Sequence, residues 1–152
     1  MRTLLMIVLA IFVYVTKISA QDVNGVQIDF LMTKEQVVEK FGEPLEYIME
    51  DYSEIDGIYE WYSYEGGDYL RFIDGNLNTF YVCTDRWPVL GNMIDGGVRV
   101  GDPLTKLSSL NPKIVDWEES SHTYYIPLGD FPLLIDVCDG IITSMSYQLR
   151  LI

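Results

Sequence analysis

Apolar and polar positions alternate along this chain in two periods, first helical and then strand-like, and the succession occurs twice. Thr33 stands where an N-cap belongs, with Gln36 three residues on, the spacing of a capping box. Val37, Val38 and Phe41 follow at i, i+1 and i+4 and so share one helix face, and Gly42 and Pro44 stop the helix. The period then shortens to two. Leu45 to Tyr52, Ile58 to Tyr64, Tyr69 to Ile73 and Leu77 to Cys83 are aromatic and β-branched runs separated by Gly and Asp turns, with Asp74-Gly75 a strong hairpin signal.

About seventy residues later the pattern returns. Asp102 takes the cap position, Pro103 the first helical position, and Leu104, Leu107 and Leu110 form the apolar face before Asn111-Pro112 ends the helix. Strands are predicted over Ile114 to Glu118, Thr123 to Ile126, Leu133 to Val137 and Ile141 to Leu149. Leu70-Arg71-Phe72-Ile73-Asp74-Gly75 lies over Ile135-Asp136-Val137-Cys138-Asp139-Gly140. The predicted fold is therefore α+β: two tandem modules, each a short helix followed by an antiparallel meander, with the helices packed on one face of a joined sheet. The first module covers residues 21–83, a turn-rich linker 84–97, and the second module 98–152. Trp87, Val89, Leu90, Met93 and Ile94 make the linker apolar enough to pack against the modules.

Residues 1–20 read differently. Arg2, an apolar run from Leu4 to Val15, and Ile18-Ser19-Ala20 before Gln21 have the form of a secretory signal peptide, and the run is short for a membrane span. The predicted protein is exported, periplasmic or extracellular, with no membrane anchor after cleavage and a loose start at 21–27. The whole chain has 10 Lys and Arg against 23 Asp and Glu. Removal of the first twenty residues takes Arg2 and Lys17 but no acid, leaving eight against 23 and a net charge of −15. Such a surface repels nucleic acid and anionic membrane. It attracts a basic protein partner or a cation, or simply keeps an exported chain soluble.

Strand alternation sorts residues between the sheet's faces. Positions apolar in both copies are assigned to the helix side: Tyr62 with Tyr124, Tyr64 with Ile126, Leu70 with Ile135, Phe72 with Val137, Phe80 with Met145, Val82 with Tyr147. The opposite parity collects Trp61, Ser63, Arg71, Tyr81, Cys83, Tyr125, Asp136, Cys138, Ser146 and Gln148. Aromatics with an Arg are what binding hot spots use, although an antiparallel sheet can also keep one wet face. Trp61, Arg71, Tyr81 and Tyr125 are the candidate protein-binding residues. Cys83 and Cys138 share this parity, and in an oxidising compartment they could form a disulfide or remain free thiols.

Candidate chemistry is sparse. The single histidine, His122, sits among Ser120, Ser121 and Thr123 with nothing marking a nucleophile beside it. There is no Gly-x-Ser-x-Gly, no phosphate-cradling glycine loop and no His-Glu-x-x-His. No catalytic residue, cofactor or enzymatic activity is predicted. Glu50, Asp51, Glu54, Asp56 and Glu60 crowd one hairpin, either as a steering patch for a basic partner or as oxygen ligands for calcium, though without the EF-hand spacing.

Met32-Thr33, Val37, Phe41-Gly42-Glu43-Pro44, Trp61-Tyr62-Ser63-Tyr64 and Phe72-Ile73-Asp74-Gly75 together resemble the unit of the β-lactamase inhibitor protein fold. The related small outer-membrane lipoprotein of the β-barrel assembly machinery carries one such unit, and the inhibitor carries two in tandem. No lipid-bearing cysteine follows the signal here, and the second copy lacks Phe-Gly-x-Pro and the Trp. The resemblance implies non-enzymatic protein binding through the open sheet face, as an inhibitor, an immunity-type protein or an envelope assembly factor. The alternative is a small-molecule or calcium-binding envelope protein.

Overall fold

The computed structural model describes residues 32–147 apart from Ser53, Glu118, Gly129 and Asp130. The predicted signal peptide, the start at 21–27 and Gln148 lie outside the described residues. Helix α1 spans Lys34–Phe41 and precedes strands β1 (Glu46–Tyr52), β2 (Gly57–Ser63), β3 (Tyr69–Ile73) and β4 (Asn76–Val82). A 3-10 helix over Leu104–Leu110 precedes β5 (Lys113–Trp117), β6 (Ser121–Leu128), β7 (Phe131–Cys138) and β8 (Ile141–Tyr147). All eight strands form one sheet in the order β1-β2-β3-β4-β8-β7-β6-β5, antiparallel throughout.

The expectation of an α+β pair of helix-plus-meander modules is corrected by this arrangement. Among the described residues the fold is a single eight-stranded antiparallel sheet, and the helical part is small: one α-helix of 8 residues and one 3-10 helix of 7. The physical reason lies in the second helix. Its leucines fall at 104, 107 and 110, steps of three that align in a 3-10 helix, whereas Val37, Val38 and Phe41 follow the wider α spacing. Asp102 does not cap it either. Its carboxylate accepts from the Arg99 N–H at 2.8 Å and from Lys106 Nζ at 2.9 Å, and Pro103 takes the cap position without a side-chain bond. Burial raises the Asp102 pKa, but the bonds from Lys106 and Arg99 outweigh it and hold the carboxyl below its usual range.

The first helix follows its sequence signals closely. Gln36 N–H donates to Thr33 Oγ1 at 3.3 Å, and the Thr33 N–H donates back to Gln36 Oε1 at 2.9 Å. Gly42 ends the helix at φ +90°. Backbone details recur between the halves. Lys34 N–H donates to Gly75 O and Leu77 N–H to Met32 O, while Leu104 N–H donates to Gly140 O and Ile142 N–H to Asp102 O. Asp74-Gly75 and Asp139-Gly140 both adopt positive φ at both positions, as two-residue hairpin turns require. The register also shifts after Arg71 in β3 and after Asp136 in β7.

The core lies on one face of the sheet. Tyr62, Tyr64, Leu70, Phe72, Phe80, Val82, Ile126, Ile135, Val137, Met145 and Tyr147 are buried and Tyr124 partly so. Val37 of α1, Leu107 of the 3-10 helix, and Trp87, Val89 and Leu90 of the linker close over them. Met93 of the linker stays exposed. The linker is pinned by Asp68, a fully buried carboxylate that accepts from the N–H groups of Cys83 (2.7 Å) and Thr84 (3.0 Å), from the Thr84 hydroxyl, and from Trp87 Nε1 (2.8 Å). Thus held, Trp87 packs on Phe41 with ring centroids 4.2 Å apart and on Tyr64 at 5.0 Å.

Candidate functional site

The opposite face of the sheet carries the candidate site. Period-two alternation in β2 and β3 turns Tyr59, Trp61, Tyr69 and Arg71 to this side, and cross-strand pairing aligns Trp61 with Arg71, Arg71 with Thr79, and Tyr69 with Tyr81. The rings then run as a stripe. Tyr52 meets Tyr59 edge-on at 5.6 Å, Trp61 lies 6.1 Å from Tyr69, and Tyr69 stacks on Tyr81 at 5.6 Å. The Arg71 guanidinium lies within the stripe, 5.2 Å from the Trp61 ring centroid and 5.6 Å from that of Tyr59.

Neutral partners hold Arg71 in place. Nη2 donates to Asn78 Oδ1 and to Thr79 Oγ1, both at 2.8 Å, while Nε is buried without a partner. In the second half the matching strand position is Asp136, which accepts from Ser144 Oγ at 2.6 Å and Thr123 Oγ1 at 2.8 Å. A cation and an anion thus occupy equivalent places on the same face. Beside Arg71, a shallow depression of about 340 Å³ is lined by Glu50, Tyr52, Ile55, Asp56, Tyr59, Trp61 and Arg71. The Tyr59 hydroxyl donates to Asp56; that bond and burial raise the Tyr59 pKa, against the pull of Arg71.

The predicted binding residues are only partly brought together. Trp61 and Arg71 touch, Tyr81 joins them through Tyr69, and Tyr125 stands three strands away from Tyr81, paired with Leu134 and with Lys113 Nζ 5.9 Å from its ring. The acidic hairpin divides. Glu50 and Asp56 line the depression, whereas Asp51 is paired with Ile58 on the helix side of the sheet and Glu54 lies in the exposed turn. Glu60 also turns to the helix side, where it is 3% exposed and accepts from Lys34 Nζ at 2.6 Å and the Tyr47 hydroxyl at 2.8 Å. Among the described residues no three His, Cys, Asp or Glu side chains converge to hold a metal ion. Tyr59, Tyr69 and Tyr52 belong to the stripe but were not among the predicted residues, although their parity in the sequence matches that of Trp61 and Arg71.

The Cys83–Cys138 disulfide is corrected. Both thiols are free: Cys83 Sγ donates to Gly66 O at 3.1 Å and Cys138 Sγ lies 3.9 Å from Asp139 Oδ2. Shared parity puts both on one face, but β8 lies between β4 and β7, so the two chains are about 10 Å apart, beyond disulfide reach. Burial, followed by the nearby Asp68 charge, pushes the Cys83 thiol up. His122 pairs with Val137, on the core side, so it does not face Asp136 and Ser144.

These features define, among the described residues, a single antiparallel sheet with one face buried in the core and the other carrying an aromatic stripe around a cation. No protein-family model matches the chain, and no curated protein matches it. Among solved structures the chain is similar to an extracellular protein containing an SCP domain from Bacillus anthracis str. Ames, with a TM-score of 0.52 and 13% identity. The match covers 82% of this chain and 45% of the other, so this chain spans under half of that protein. Identity this low speaks for a shared fold. Among the described residues no helix is long and apolar enough to cross a membrane.

Proposed function

We propose that the chain is an exported, non-enzymatic protein that binds another protein through the open face of its sheet, acting in the periplasm or outside the cell. The observation that supports this reading is the stripe of Tyr52, Tyr59, Trp61, Tyr69 and Tyr81 around Arg71. Trp, Tyr and Arg are the residues that dominate binding energy at protein interfaces, because Trp and Tyr offer a large rigid contact area with a polar tip and Arg a planar guanidinium that stacks on rings and donates several hydrogen bonds. Glu50 and Asp56 at the rim favour a partner that is basic there.

The test is capture from envelope and culture fractions of the source organism with the purified chain, against Trp61→Ala and Tyr81→Ala variants. A partner that binds the wild type and is weakened about thirtyfold or more by either variant, the effect of losing a hot spot of about 2 kcal/mol, supports the reading. Circular dichroism checks that the variants stay folded. A folded wild type that retains nothing, or variants that bind equally well, would refute it.

A further inference from the structure

We propose that β1 is a docking edge for an extended, basic segment of a partner protein, added to the sheet as a ninth strand. This edge adjoins the aromatic stripe, with Tyr52 and Glu50 belonging to both, but the pairing proposed runs along the backbone and does not depend on the stripe's role. Among the described residues β1 ends the sheet and pairs with β2 alone, through seven unbroken register positions from Glu46 with Ser63 to Tyr52 with Gly57. Every one of its residues is exposed. Tyr47, Ile48 and Met49 are 50%, 56% and 58% exposed, an unusual apolar content for an unpaired edge.

The backbone there is presented for pairing. Ile58 directs its N–H and C=O toward β3, where they meet the Asp74 carboxylate and N–H. Its register partner Asp51, and by alternation Met49 and Tyr47, therefore turn their N–H and C=O groups away from β2, toward the open edge. The other end of the sheet is built differently. β5 has five residues, and its register with β6 shifts between Ile114 and Asp116, a break that blunts an edge.

Side chains define the occupant. On the open-face side β1 presents Glu46, Ile48, Glu50 and Tyr52; on the helix side it presents Tyr47, Met49 and, at the turn end, Asp51. A second copy of β1 laid alongside would bring these carboxylates against one another, and no base in β1 offsets them. A strand that alternates basic and apolar residues instead sets its cations beside Glu46 and Glu50 and its apolar row beside Tyr47 and Met49. Strand addition of this kind takes affinity from the backbone and specificity from the alternating side chains.

The probe is a blocked, fluorescein-labelled ten-residue peptide alternating lysine and valine, titrated into the full chain and followed by fluorescence anisotropy. Saturable binding is expected, at least tenfold tighter than that of the glutamate and valine counterpart. It should fall at least tenfold when the two central peptide amides are N-methylated, which blocks both edges of the strand. Met49→Pro removes one outward N–H at a place where an edge strand tolerates proline, and should weaken binding by a similar factor. Glu46→Lys with Glu50→Lys should reverse the preference between the two peptides. Equal binding of both peptides, or no effect of N-methylation, would overturn the proposal without any protein variant. A homodimer in sedimentation that Met49→Pro dissolves, in the absence of peptide binding, would overturn the choice of occupant.

Discussion

Replacing Asp68 with Ala should be among the most destabilising single changes in the sheet. The carboxylate is fully buried and gathers the N–H groups of Cys83 and Thr84, the Thr84 hydroxyl and the Trp87 indole N–H. Alanine leaves three N–H donors unpaired, and a buried unpaired donor costs about 1–3 kcal/mol. Cys83 and Thr84 are only half-buried, so water can reach part of the vacated space and the lower end applies to them. Trp87, at 6% exposure, carries the full cost. The total is about 3–5 kcal/mol, a large part of the roughly 5–15 kcal/mol that a domain of this size has. At about 3–5 °C per kcal/mol, the melting temperature should fall by about 10–20 °C. Asp68→Asn should cost about half as much. Its amide oxygen can still serve the two backbone donors, and the Thr84 hydroxyl can rotate to accept, but the indole N–H loses its acceptor. Urea and thermal denaturation of the three proteins measure this. A loss below about 1 kcal/mol for Asp68→Ala would show that the linker is held by apolar packing alone and refute the reasoning.

Two further perturbations test the same region. Tyr64 donates its hydroxyl to Gly42 O at 3.1 Å, and burial pushes its pKa up to about 12, against an ordinary value of about 10. Because the folded value is the higher one, the contribution is complete below about pH 10 and is lost as pH rises toward 12; the melting temperature of the wild type should therefore fall toward that of Tyr64→Phe across this window, and a constant gap would contradict it. Gly97 sits at φ +67°, and a Cβ there would lie 2.9 Å from Val89 O, beside the bridge between Val89 and Val98. Gly97→Ala should therefore cost more than Gly96→Ala, which shares the positive φ but has open space around it, by about 1 kcal/mol or more in urea denaturation.

What could be read from the sequence was local or periodic. The Thr33 and Gln36 capping box needs four residues, and the Asp-Gly turns at 74 and 139 need two, so neighbours in the chain decide them. Face assignment needs only the alternation of each strand, and it placed Trp61, Arg71 and Tyr81 together. Lateral position was not available by the same route. Parity puts Cys83 and Cys138 on one face but does not say that β8 separates them. Nor does it say that β1, with Tyr47, Ile48 and Met49 reading as an ordinary half-buried strand, lies at the edge and remains exposed. The 3-10 helix was legible in principle, because leucines at steps of three are its signature, but a cap-like Asp102-Pro103 pair favoured an α-helical reading.

The order of strands also explains why only one end of the sheet is left regular. Joining β4 to β8 makes β1 and β5 the two edges. Had both been long and regular, β1 of one molecule could pair with β5 of the next, a head-to-tail contact that does not close and that extends into fibres. Ile114 and Val115, 50% and 59% exposed in β5, would supply the apolar contact for this. The shift between Ile114 and Asp116 breaks the backbone match at that point, and the five-residue length limits what remains. At the other end, Glu46 and Glu50 work against pairing of β1 with itself while leaving its backbone accessible. Geometry blunts one edge and charge the other, and only charge can be matched by a partner of opposite sign.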